Sequence, residues 1–142
     1  MKKITPNLWF DGNAEEAVNF YVSVFPNSKI ISITNYPKSV EDGLADFQRN
    51  MAGKVLTIDF ELSGNRFVAI NAGPEFTFNE SVSFSVPCED QKEIDYYYEQ
   101  LSAVSESEVC GWCKDKYGLS WQVVPENMEE LMKMHKIIIK DF

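Results

Sequence analysis

The stretch ITPNLWFDGNAEEAVNFY, residues 4–21, contains a strand, a turn and the first part of a helix. The pattern of residues 4–10 predicts a strand, which ends at Asp11-Gly12. Asn13 is predicted as the helix N-cap because Glu16 follows three residues later. Apolar residues then recur at helical spacing, at Ala14, Ala17, Val18, Tyr21, Val22 and Phe25. The stretch therefore predicts a strand that turns directly into an amphipathic helix, which ends at Pro26-Asn27.

The rest of the chain alternates strand patterns with one further clear helix. In the first half, strands are predicted at 28–36, 54–62 and 66–71, with a loop at 37–53 and a link at 72–80. In the second half, the predicted elements are a strand at 81–86, a helix through Ile94, Tyr97, Tyr98 and Leu101, strands at 107–114 and 119–124, a short helix at 126–136 and an apolar tail. No low-complexity segment or long linker separates them.

The second half repeats the pattern of the first. A shift of 76 residues places Val18 on Ile94 and Phe25 on Leu101. Sequence identity between the halves is low, and any two amphipathic helices could align this well. The strand–turn–helix order nevertheless occurs twice, so we predict an α+β fold built from two β-α-β-β-β modules, at about residues 4–74 and 81–125.

Composition excludes several classes of function. The chain has 142 residues and a net charge of −9, so one domain is expected and nucleic acid would be repelled. No apolar run is long enough to span a membrane, and the N-terminus lacks the apolar segment of a signal peptide. Three cysteines, an odd count, favour a reducing cytoplasm.

The cysteines form a C-x-x-C pattern at Cys110 and Cys113, which raises the question of redox or metal chemistry. If residues 109–114 are a strand, the two side chains face opposite sides, with Cα atoms about 10 Å apart, too far for a disulfide. Cys88 and His135 would complete a zinc ligand count, but the spacing matches no common zinc motif. We predict three free thiols in a mixed core.

Four stretches resemble one family closely. ITPNLWFDGNAEEAVNFY (4–21), FPNSKI (25–30), LTIDFELSGNRFVAINAGP (56–74) and CGWCKDKYGLSWQVVP (110–125) resemble the PhnB-like group of the vicinal oxygen chelate superfamily, which includes glyoxalase I, bleomycin-resistance proteins and extradiol dioxygenases. The resemblance implies two modules whose sheets curl around a cleft. Members often carry the name 3-demethylubiquinone-9 3-methyltransferase, but the sequence has no glycine-rich loop of the kind such a cofactor site uses.

The resemblance also implies where a metal would bind. Metal-using members supply one ligand from each of four strands, and the corresponding positions here are Pro6, Ala69, Val82 and Gln122. The first three have no donor atom, and Gln122 offers only a neutral amide. A slip of two residues would bring in Asn71, another neutral amide. We therefore predict no metal, no cofactor and no catalytic residue.

The remaining prediction is a small-molecule cleft with aromatic walls and a few polar groups. Its predicted ligand-binding residues are Leu8, Phe10, Phe67, Asn71, Phe84, Ser120 and Gln122. Because none of them is charged, the expected ligand is small, planar and neutral or weakly polar. The alternatives are a metal-dependent isomerase, lyase or dioxygenase, and a structural or regulatory dimer with a filled cleft. The apolar tail Ile137–Ile139 favours a homodimer.

Overall fold

The computed structural model describes residues 2–133, which divide into two compact units after Thr77. The division falls inside the link predicted at 72–80. Each unit begins with a strand followed at once by a helix, as the repeat predicts.

The first unit is a four-stranded mixed sheet with one helix. Its elements are β1 (Asn7–Asp11), α1 (Ala14–Val24), β2 (Lys29–Asn35), β3 (Val55–Leu62) and β4 (Asn65–Ala72). The strand order is β1-β4-β3-β2, with β1 parallel to β4 and the other pairs antiparallel. The loop predicted at 37–53 contains a short 3-10 helix, Asp46–Met51.

One face of this sheet packs against α1 and forms the core of the unit. Alternate residues of β3 are buried, including Ile58, Phe60 and Leu62. Ile58 lies opposite Ala69 on β4, and the α1 residues Val18 and Tyr21 are fully buried. Alternation in the strands and helical spacing in α1 thus supply the two apolar surfaces that pack together.

The second unit is smaller and has a three-stranded sheet. Its elements are β5 (Ser83–Cys88), α2 (Gln91–Leu101), a 3-10 turn (Ser105–Ser107), β6 (Trp112–Lys114), β7 (Ser120–Pro125) and α3 (Met128–Lys133). The strand order is β5-β7-β6, and the central strand β7 is parallel to β5 and antiparallel to β6. As in the first unit, a strand leads into a helix and the first strand lies parallel to the last, and Tyr21 and Tyr97 occupy corresponding buried positions.

The second module departs from the predicted β-α-β-β-β pattern. Within the described residues only β6 and β7 follow α2, and the strand predicted at 107–114 is shortened to Trp112–Lys114. Cys110 and Gly111 have φ angles of +54° and +86°, and Val109 bridges Trp112. Positive φ at both central residues makes this a tight turn, so Cys110 does not lie on a strand.

The α+β class predicted from the sequence is confirmed, with one small mixed sheet in each unit. The helix predicted at 126–136 is described as far as Lys133, and the tail 137–142 lies outside the described residues. None of the helices in residues 2–133 has the length and apolar character needed to cross a membrane.

Candidate functional site

The structure places the predicted site residues of the first unit in its core. Leu8, Phe10 and Phe67 are buried, with 6%, 2% and 7% of their surface exposed. Phe67 stacks on Phe60, with ring centroids 5.5 Å apart. Leu8 pairs with Ala69, and Phe10 with Asn71, so all of them face α1. This corrects their predicted place as walls of a ligand groove, because α1 covers that face.

Asn71, on the same face of the sheet, makes two hydrogen bonds within the first unit. Its Oδ1 accepts the backbone N–H of Ala14, the first residue of α1, at 3.1 Å, and its Nδ2 donates to the Val55 carbonyl at 2.9 Å. Asn13 stands at the N-cap position but makes no side-chain capping bond. Asn71 therefore satisfies an N–H group that the start of a helix would otherwise leave without a partner.

Phe84 lies on the helix-packed face of the second unit. It is paired with Trp121, and the two rings are 5.8 Å apart. Cys113 and Val123 are buried on the same face, and the Tyr98 hydroxyl of α2 donates to the Trp112 carbonyl at 2.7 Å. Phe84 is therefore placed to stabilise the packing under α2, which corrects its predicted place as a groove wall.

Ser120 and Gln122 lie on the opposite face of this sheet, which we call the far face. The strand register sets six far-face residues in two rows of three across β5, β7 and β6. The rows are Ser83–Ser120–Lys114 and Ser85–Gln122–Trp112. Paired residues in a sheet are about 5 Å apart at Cβ, so each row forms a continuous strip. The structure thus brings together two of the seven predicted residues with four that sequence reasoning missed.

The central hydroxyl of the first row is buried. Ser120 is 1% exposed, and its Oγ has no hydrogen-bond partner among the described residues. Beside it, Gln122 Nε2 donates to Ser83 Oγ at 2.8 Å. A buried hydroxyl without a partner costs folding free energy, so Ser120 is the polar group of this face that the fold itself does not account for.

Lys114 brings a charge to a face that was predicted to have none. Its ammonium is ion-paired with Glu80, and the two side chains are 24% and 59% exposed. The hydrogen bond and positive charge of Lys114 lower the pKa of the Glu80 carboxyl. The net charge of the pair is zero. Sequence alternation alone could not find this pair, because the register of β6 on β7 decides which face Lys114 occupies.

The register also changes the metal positions implied by the resemblance. Asn7 pairs with Val68 as Ser83 pairs with Ser120, so the counterpart of Gln122 is Ile70 and not Ala69. Pro6 and Val82 each precede a strand by one residue. The side chains at these positions do not fit a divalent metal, and no three His, Cys, Asp or Glu side chains in residues 2–133 come together as a possible metal site.

Asp115 is a buried carboxylate that sequence reasoning also missed. It is 1% exposed, and its Oδ1 accepts the backbone N–H groups of Tyr117 and Leu119 at 2.8 and 3.0 Å. Its Oδ2 accepts Trp121 Nε1–H at 2.9 Å. These bonds organise the turn between β6 and β7. The Asp115 carboxylate therefore has a turn-forming role.

All three cysteines are free, as predicted, although the geometry differs from the prediction. Cys110 lies in the tight turn, while Cys88 and Cys113 are each 1% exposed. Burial, and secondarily the charge of nearby carboxylates, raises the pKa of Cys88 to about 11 and that of Cys113 to about 12. These two thiols are therefore neutral and unreactive near neutral pH.

A separate groove of about 710 Å³ lies beside α2. Ile94 and Tyr98 contribute apolar surface, and Asp95, Glu99 and Glu108 contribute carboxylates. None of the seven predicted residues lines it. The groove is open and acidic, so it lacks the enclosed apolar walls of a typical small-molecule pocket.

The comparisons with known proteins agree with the fold. The family model described as 3-demethylubiquinone-9 3-methyltransferase matches residues 2–124. A PhnB protein from Bacillus cereus that carries the same methyltransferase name is 37% identical, over 87% of this chain and 99% of that one, with a TM-score of 0.67. None of the curated proteins matches the sequence.

Two more distant solved structures share the fold alone. Protein PA1353 from Pseudomonas aeruginosa is 17% identical, over 88% of this chain and 98% of that one, with a TM-score of 0.60. The fosfomycin resistance protein FosX from Mesorhizobium loti is 9% identical, over 93% and 97% of the two chains, with a TM-score of 0.56.

Proposed function

Because the chain belongs to the 3-demethylubiquinone-9 3-methyltransferase family, a PhnB-like family of the vicinal oxygen chelate superfamily, we propose that it is a metal-independent small-molecule-binding protein whose contact surface is the far face of the second unit. The observation that carries the proposal is the Ser120 hydroxyl, which is buried without a hydrogen-bond partner among the described residues. Gln122 and Ser83 supply further polar atoms beside it.

The composition of this face suits a small planar ligand. Trp112 pairs with Gln122 and is half-buried, so an indole surface lies beside amide and hydroxyl groups. Aromatic surface binds the apolar body of a ligand, and a few polar atoms fix its orientation. Since Glu80 cancels the charge of Lys114, the ligand is neutral or weakly polar.

Methyl transfer is not part of the proposal. A doubly wound methyltransferase would need a glycine-rich turn after its first strand. The turn between β1 and α1 has a single glycine, Gly12, and the sheet that it enters is mixed. A metal-dependent isomerase, lyase or dioxygenase would need donor atoms that the implied positions do not have.

Titration of the ¹⁵N-labelled protein with benzamide, a planar neutral amide, tests the proposal. We expect amide shifts in β5, β6 and β7, and about fivefold weaker binding in Ser120→Ala because one hydrogen bond to the ligand is lost. Gln122→Ala should change the preference between benzamide and benzyl alcohol more than the affinity. Ser105→Ala, at an exposed serine of the same unit, is the matched control.

Stability measurements separate binding from folding. Ser120→Ala removes a buried hydroxyl without a partner in the described part of the chain, so its free energy of unfolding should stay the same or rise. If saturating benzamide and benzyl alcohol shift no resonance of the far face, the binding role fails. A structural or regulatory dimer is then the better interpretation of the protein's function.

A further inference from the structure

We infer that Glu80 is an internal substitute for a ligand carboxylate, and that a small planar monocarboxylate binds the far face by replacing Glu80 on the Lys114 ammonium. This rests on the proposed function, because it assigns a second class of ligand to the same surface.

The first argument is the unequal burial of the two partners. The Lys114 side chain is 24% exposed, whereas that of Glu80 is 59% exposed. The ammonium thus belongs to the more buried side chain, and the carboxylate to the more exposed one. An ion pair with an exposed partner contributes little net free energy, so a second carboxylate can replace it at small cost.

The position of Glu80 in the chain is the second argument. It precedes β5 and lies outside every helix and strand. Its neighbours Asn79 and Ser81 bond to each other, with the Ser81 hydroxyl donating to Asn79 Oδ1 at 2.6 Å. The sheet therefore does not depend on the Glu80 side chain, which can leave Lys114 without breaking a strand pair.

The third argument is the neighbour of Lys114 within the row. Lys114 pairs directly with Ser120, whose buried Oγ has no partner in the described range 2–133. A carboxylate has two oxygens, and paired side chains in a sheet are about 5 Å apart at Cβ. One oxygen can accept from the ammonium and the other from the Ser120 hydroxyl. Glu80 satisfies only the first of these donors.

The test compares benzoate with benzamide, two planar probes of nearly equal size that differ in charge. Binding at neutral pH is measured by NMR titration for the wild type, Glu80→Gln and Lys114→Met. Glu80→Gln should strengthen benzoate binding about tenfold, because one charge-assisted bond becomes available, and should leave benzamide binding unchanged. Combining Glu80→Gln with Lys114→Met should remove the gain.

A matched control isolates the contact from net charge. Glu106→Gln removes the same charge from an exposed position of the second unit and should leave benzoate binding as in the wild type. The inference is overturned if Glu80→Gln leaves benzoate binding unchanged, or if it strengthens both probes equally. If benzamide binds and benzoate does not respond to Glu80→Gln, the proposed function stands and the inference alone fails. Failure of both probes in every variant would overturn both.

Discussion

Asp115 shows how much of the second unit depends on a single side chain. Its two oxygens accept three N–H groups inside the turn between β6 and β7. Asp115→Ala leaves these donors unsatisfied in a buried place, so we expect a loss of about 3 kcal/mol or more in the free energy of unfolding. Asp115→Asn keeps one acceptor oxygen and should lose less. Urea unfolding measures both, with the exposed Glu106→Ala as control. An alanine variant within about 0.5 kcal/mol of the wild type would contradict this role.

The thiols provide a prediction about pH. Cys88 and Cys113 have raised pKa values in the folded protein, about 11 and about 12, so folding favours their neutral forms. Their contribution to stability is therefore complete below the ordinary thiol pKa of 9.0 and is lost as the pH rises toward 11 and 12.

The reactivity of the thiols is a separate prediction. At pH 8, iodoacetamide should label Cys110 first, and Cys110→Ser should remove that labelling. Mass spectrometry should show three free thiols. A loss of two hydrogens in the non-reduced protein would sink the prediction.

A tight turn at Cys110 and Gly111 replaces part of the strand that was predicted at 107–114. Cys110 has φ +54°, a conformation that costs most residues about 1 kcal/mol or more. Asparagine tolerates this conformation, so Cys110→Asn should raise the free energy of unfolding by roughly 0.5–1 kcal/mol. Gly111→Ala, at φ +86°, should lower it by about 1 kcal/mol or more. Thermal and urea unfolding of this pair of variants provides the measurement, and opposite signs from those expected would contradict the turn assignment.

For the whole molecule, the homodimer stays a prediction. It depends on the apolar residues Ile137–Ile139, which lie outside the described residues. Sedimentation should give twice the 16.3 kDa mass of one chain, and Ile138→Glu should shift the protein toward monomer. A monomer at micromolar concentration would count against the prediction.

The absence of a metal requirement is a second prediction for the whole molecule. Pro6, Ala69 and Val82 have no donor atoms, nor has Ile70, which the strand register puts in the place of Ala69, and Gln122 is hydrogen-bonded to Ser83. Elemental analysis of the purified protein should therefore find no stoichiometric transition metal, and Gln122→Glu alone should not create a site. About one zinc, nickel, iron or manganese ion per chain, removable by a chelator with loss of an activity, would reverse this prediction.

Local spacing, and motifs that span residues 4–125, were enough to predict the two strand–turn–helix starts, the α+β class and the family. The binding role predicted from the sequence for Ser120 and Gln122 stays a prediction. The sequence could not assign faces, since a shift of one residue in a strand exchanges the two sides of a sheet. That is why Leu8, Phe10 and Phe67 were predicted at a groove and lie under α1.

Contacts between residues that are distant in sequence depend on how the strands and helices pack together. Asn71 accepts a hydrogen bond from the start of α1 because β1 and β4 are parallel neighbours. Lys114 lies beside Ser120 because of the register in which β6 pairs with β7. No local pattern encodes these pairs, as strand pairing is set by the packing of whole elements. The polar far face, with its buried hydroxyl and its ion pair, is therefore a product of register rather than of any motif.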